Sequence, residues 1–142
     1  MRPLLLSSTA LHQYICDVYP QTQDKFEILH LEPMRIELLW KTSSDDLRPG
    51  QTLSGPTLFT LADCSFYAIT LAMIGKKSLA VTTNLSMNFM RKPELGALVA
   101  STRILKLGKN LCVGDALISA AGSTTPLAHA SITYALPPEK NG

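Results

Sequence analysis

Between Pro56 and Ile74 the chain runs for nineteen residues with a single Asp, Glu, Lys, Arg or His, and that residue is Asp63. A carboxylate inside an apolar helix is costly unless donors or a water-filled pocket meet it. So placed, it can take a proton from water as a general base or attack a carbonyl carbon itself. Eight residues earlier stands Gly55, where a beginning helix exposes unpaired N–H groups and the positive end of its dipole. Pro56 has no N–H to offer, which leaves the Gly55 amide to receive an oxygen that gains negative charge during reaction. The alternative role for Asp63 is structural, as a cap or a hydrogen bond across a subunit interface.

Other polar candidates are less specific. Thr82 and Asn84 alternate with apolar residues and fall on the polar side of a strand, as ordinary strand residues also do. Residues 1–75 carry five basic against eight acidic side chains, whereas the remainder carries eight basic against three acidic. Arg91, Lys92, Lys106 and Lys109 belong to that second group and lie near strand ends, so a polyanionic small ligand suits them, as does plain solvation of the edges. His12, His30 and His129 are widely separated and share no metal-ligand spacing with Cys, Asp or Glu. Cys16, Cys64 and Cys112 are odd in number without a close pair, which argues against a disulfide framework or a C-x-x-C motif and for a reducing compartment. Ser54 sits in no G-x-S-x-G elbow, and no phosphate-cradling loop is present. A net charge of +2, one Trp and scattered Tyr residues supply neither the field nor the stacking array that nucleic acid needs.

The elements that must position these groups read plainly. At 142 residues and 46% hydrophobic, the chain predicts one domain able to fold without disulfides or metal. Its 17% charged content is below the usual quarter or so, which points to surface covered by another subunit. The N-terminal leucine run is too short for a signal peptide, and the longest strongly apolar stretch, Tyr67–Ile74, falls short of the ~20 residues that cross a bilayer. A cytoplasmic protein is expected, without membrane or nucleic acid as partner. Helical spacing of Leu11, Tyr14, Ile15 and Val18 predicts an amphipathic helix over residues 8–19. Residues 26–31 and 35–41 read as a hairpin broken at Glu32-Pro33, and 42–55 as a long loop. The apolar helix follows from Pro56 to Ile74, stopped by Gly75. From Leu79 the period becomes two, with Val81, Thr83, Leu85, Met87 and Phe89 opposite Thr82, Asn84, Ser86 and Asn88, predicting a half-buried strand. Strands over 95–107, 110–121 and 126–135 complete the pattern. The division is a helical extension over 1–24, a core over 25–136 and a frayed tail over 137–142. This is an α+β order in which an antiparallel sheet wraps one long central helix, the hotdog fold. The uncharged polar side of residues 82–88 is suited to pairing with its twin in a homodimer.

The segment Arg48-Pro49-Gly50-Gln51-Thr52-Leu53-Ser54-Gly55-Pro56, followed by Leu61-Ala62-Asp63, resembles the signature of the PaaI-like hotdog acyl-CoA thioesterases. The resemblance continues through Ala80–Phe89 and Arg91-Lys92-Pro93 and spans roughly residues 25–135. In that family a loop ending in His-Gly-Gly enters the helix, and an acid follows in a Leu-Ala-Asp context; Gly55 and Asp63 match in register. Ser54 replaces the usual His, Pro56 replaces the second Gly, and Arg48 stands where many members carry an Asn or Gln that orients substrate or water. The resemblance implies hydrolysis of an acyl-CoA thioester to free acid and CoA with no metal or redox cofactor, coenzyme A being part of the substrate. It implies Asp63 as base or nucleophile, Gly55 as oxyanion donor, and Thr82 as a hydroxyl that helps position water from across a dimer. Arg48, Ser54 and Asn84 would touch substrate, and Arg91, Lys92, Lys106 and Lys109 would hold the CoA phosphates, in a homodimer or a dimer of dimers. The departures at Ser54, Pro56 and Arg48 motivate an alternative, a non-catalytic acyl-CoA binding or sensing module. Hydratase or dehydratase chemistry on the same fold calls for a His beside the acid, and none is seen.

Overall fold

Ser7 opens the first helix by accepting the Ala10 N–H at 3.2 Å, and α1 (Ser8–Val18) turns Leu11 and Ile15 into the core. The structure, a computed structural model, describes residues 2–138, so Glu139–Gly142 of the expected tail lie outside the described residues. Strands β1 (Phe26–Glu32) and β2 (Arg35–Trp40) form the expected hairpin, turning at Pro33 and a left-handed Met34 with φ 70°. The segment read as a loop holds a 3₁₀ turn at Ser44–Asp46 and a two-residue ladder of β3 (Leu47–Arg48) with β4 (Thr52–Leu53), closed by Gly50 and Gln51 in left-handed conformation. Leu53 N–H donates to the Pro93 carbonyl at 2.8 Å, tying this ladder to the chain beyond the next strand.

The central helix α2 spans Gly55–Ile74, one residue earlier than its proline suggests, because Ser54 is the cap: its hydroxyl accepts the Thr57 N–H at 3.3 Å. Gly75, at φ 91°, ends it. By length and composition α2 would pass for a membrane span, which the apolar run of residues 67–74 alone did not suggest, yet 72% of its most apolar window is buried inside the domain.

Strands β5 (Val81–Phe89), β6 (Leu98–Leu107), β7 (Leu111–Ala120) and β8 (Pro126–Ala135) join β1 and β2 in a six-stranded antiparallel sheet of order β1-β2-β6-β7-β8-β5. The sheet wraps α2 in the expected hotdog arrangement. Small residues line its inner face opposite the helix, among them Ala100, Gly114, Ala116, Ala128 and Ala130, so α2 can lie close. Gly114 marks the limit of that approach, since a methyl there would run into the Arg103 carbonyl and the Phe66 ring. Polar groups fix the helix against the sheet as well; Ser65 Oγ lies 2.7 Å from Thr102 Oγ1, both fully buried.

Two expectations for β5 are corrected. It is an edge strand, and in the single chain only Leu85 and Met87 along it are half-buried, so it is not the half-buried strand expected. A bulge also interrupts its register with β8 between Thr82 and Asn84. Thr82 pairs with Tyr134 and turns toward α2, whereas Asn84 pairs with Thr133 and turns to the outer face. Thr82 and Asn84 therefore do not share one polar side.

Candidate active site

Asp63 lies two turns into α2, half-buried, on the wall of a cavity of about 680 Å³. The hydroxyl of Thr82 donates to its Oδ1 at 2.6 Å, and the hydroxyl of Tyr134 lies 2.8 Å from that same oxygen and 2.9 Å from the Asp63 carbonyl. Its Oδ2 has no protein donor, and because no buried side-chain oxygen is left unpartnered among the described residues, that oxygen opens to the cavity. Ile15, Val18, Phe59, Leu79 and Val81 make much of the lining apolar, with α1 contributing one wall. Cys64 also reaches the cavity, but burial and then the neighbouring Asp63 charge push its thiol up to about 12, against a weaker opposing effect of Lys25. Burial thus keeps this thiol protonated.

Gly55 faces elsewhere. Eight residues of helix separate it from Asp63 by about 12 Å along the axis. Its N–H, in the first turn, has no intrahelical acceptor, and Gly55 lines a second cavity of about 520 Å³ together with Arg48, Phe89, Arg91 and Lys92. Phe89 closes over it: the ring comes within 3.4 Å of where a Gly55 methyl would be. Arg91 is anchored through Nη1 on the Pro126 carbonyl, and Lys92 is exposed. Ser54 is engaged as the helix cap, its hydroxyl 3.0 Å from that of Thr57, which donates in turn to Asp46 at 3.1 Å.

The expected site residues thus divide into groups. Asp63 and Thr82 come together, and the hydroxyl expected to act across a dimer binds the carboxylate of its own chain. Arg48, Gly55, Arg91 and Lys92 gather around the second cavity. Lys109 stands at the opposite end of the molecule, beside Ile74 at the C-terminal end of α2, and Lys106 precedes it on β6, so neither joins Arg91 and Lys92 within one chain. Asn84 faces away from α2. On that outer face His129 sits 3.0 Å from Asp115, which Arg103 also pairs at 2.8 Å. Partial burial pushes the Asp115 carboxyl up, but the hydrogen bonds from Arg103 and His129 outweigh it and hold the group below the usual range. Tyr134 was not singled out from the sequence; its place at an inward position of the last strand reads there as ordinary core. Among the described residues no three His, Cys, Asp or Glu side chains converge as metal ligands would.

A lone helix carboxylate held by two hydroxyls, and a free helix-entry amide under a basic rim, within a sheet wrapped around that helix, define a hotdog hydrolase class. The chain belongs to the thioesterase superfamily, whose family model matches residues 50–127, and this membership supports thioesterase activity as its general chemistry. It is similar to a protein from Silicibacter sp. TM1040 provisionally described as a thioesterase, at 43% identity over 96% of each chain with a TM-score of 0.89. The fold is shared with the phenylacetic acid degradation protein PaaI of Thermus thermophilus, 20% identical over 83% of this chain and 99% of that one, TM-score 0.71. It is shared too with a Streptococcus mutans protein bound to acetyl-CoA, 20% identical over 84% and 94%, TM-score 0.72. No curated protein matches the chain in sequence.

Proposed function

We propose that the protein is an acyl-CoA thioesterase whose site is completed by a second copy of the chain, with Asp63 supplying the carboxylate and the Gly55 amide of the partner subunit the oxyanion donor. One observation carries this reading: β5 touches both halves of the machinery. Thr82, near its start, holds Asp63, and Phe89, at its end, packs on Gly55. Antiparallel pairing of β5 with its twin about a two-fold axis reverses the strand, so the Asp63 cavity of one subunit meets the Gly55 cavity of the other. The edge invites such pairing. Its nine residues carry no charge and no proline, and Val81 and Phe89 are 55% and 56% exposed in the single chain.

In the assembled site the basic rim of Arg48, Arg91 and Lys92 receives the nucleotide end of coenzyme A, and the thioester carbonyl lies at the Gly55 N–H. The acyl group enters the apolar cavity beside Asp63, whose Oδ2 takes a proton from water or attacks the carbonyl carbon. The acetyl-CoA held by the Streptococcus mutans protein supports the CoA thioester as substrate class. Three free cysteines, none paired, suit a cytoplasmic setting.

Hydrolysis of a panel of acyl-CoA esters tests the reading, and a protein that binds them without turning any over is the sensing module instead. Sedimentation is expected to give a dimer, or a dimer of dimers, at micromolar concentration; a stable active monomer contradicts a shared site. Lys92→Glu, which reverses an exposed charge, is expected to raise KM for acyl-CoA about three- to tenfold. Hydrolysis of a short thioester without the nucleotide should change little, and equal loss on both substrates would mean damage to the fold rather than a lost phosphate contact.

A further inference from the structure

We infer that Tyr134 is a positioning residue for the reaction, fixing Asp63 so that Oδ2 alone meets water or substrate; the inference rests on Asp63 being the reactive carboxylate. Its hydroxyl lies 2.8 Å from Oδ1, Thr82 donates to the same atom at 2.6 Å, and Oδ2 is left to the cavity. A carboxylate free to spin about its Cβ–Cγ bond presents either oxygen in many directions. Two donors on one oxygen remove that freedom and commit Oδ1 to the protein, so the other oxygen keeps one direction into the cavity.

The tyrosine is itself held. Tyr134 is 2% exposed, at an inward position of β8, with its ring edge-on to Phe66 at 5.1 Å between centroids and 6.4 Å from Tyr67. Its hydroxyl also sits 2.9 Å from the Asp63 backbone carbonyl, so it reads the helix position as well as the side chain. Burial, and then the Asp63 charge, push the phenol well above the ordinary tyrosine range despite an opposing effect of the nearby Thr82 hydroxyl, so it is a neutral donor throughout the working pH range. Thr82 alone cannot do the same work: a single donor leaves the carboxylate able to swing about that bond.

Tyr134→Phe keeps the ring and its packing and removes the donor. With the carboxylate loosened, kcat at the optimum should fall about tenfold while KM stays within twofold. Incorporation of 4-aminophenylalanine at position 134, a weaker donor of nearly the same shape, should lower kcat about threefold at unchanged KM, and this second protein serves if the Phe variant folds poorly. Wild-type kcat in both proteins, while Asp63→Asn is inactive, overturns the role of Tyr134 and leaves that of Asp63 standing. A fall in kcat with an equal rise in KM and a lowered Tm shows a packing role only and also overturns it. Activity retained by Asp63→Asn sinks the underlying reading instead.

Discussion

Asp63→Asn is expected to lower kcat for acyl-CoA hydrolysis by at least about 10²-fold, the contribution general-base catalysis commonly makes, with substrate binding retained. The geometry makes this a clean substitution. The amide oxygen can take the place of Oδ1 and keep both the Thr82 and Tyr134 hydroxyls satisfied, while the amide nitrogen occupies the position of Oδ2. What disappears is the basic lone pair facing the cavity; what persists is shape and hydrogen bonding. Steady-state kinetics beside a direct acyl-CoA binding measurement separate the two. A variant that hydrolyses as fast as wild type shows that the carboxylate is not the reactive group, and attention then falls on Arg48 and Ser54.

The largest expected loss of stability comes from Gly114→Ala, a change distant from substrate. A Cβ there would crowd a backbone carbonyl on the neighbouring strand as well as the Phe66 ring, closer than real side chains come, so either the sheet or α2 must move. Roughly 3 kcal/mol is expected, or a Tm lower by about 10 °C in thermal unfolding. A Tm within 2 °C or so of wild type would mean that helix and sheet are not in such close approach. The effect should reach the site too, because Phe66 packs edge-on against Tyr134, and Tyr134 holds Asp63.

Much of this is legible in the sequence. The nineteen-residue apolar stretch, its glycine stop and the period-two segments after it predict a buried helix wrapped by an antiparallel sheet, because burial on nearly all sides of a helix leaves few other packings. Asp63 announced itself as an exception to that apolarity. The features that escaped have physical reasons. The ladder of β3 with β4 is two residues long, too short for any periodicity. Thr83 sits in the alternation of Val81, Leu85 and Met87 as though it faced inward, and a threonine is at home on either side of a strand, so the bulge left no mark in residue types. Tyr134 alternates correctly with Ile132 and Ala130, and nothing in the order of residues reveals that its hydroxyl finds a carboxylate 71 positions away. Lys106 and Lys109 look like Arg91 and Lys92 in sequence; which end of the sheet each one occupies is decided by strand direction. The separation of Gly55 from Asp63 follows from helical rise alone, whereas their meeting depends on a symmetry that one chain does not contain.

The bulge in β5 changes the parity of the strand. Beyond it, residues with even numbers face outward, as Asn84, Ser86 and Asn88 do; before it, the even-numbered Thr82 faces the helix. The stretch that is suited to a partner and the stretch that serves Asp63 therefore count their faces from different origins, separated by a single residue of slack. Flattening the bulge, so that Thr83 took a place in the ladder, would restore one count along the whole strand and turn the Thr82 hydroxyl outward, silencing half of the carboxylate's support while every reactive side chain remained in the sequence. In this fold the spacing between residues is as much a determinant of activity as their identity, and insertions or deletions in an apparently plain edge strand act on chemistry rather than on surface decoration.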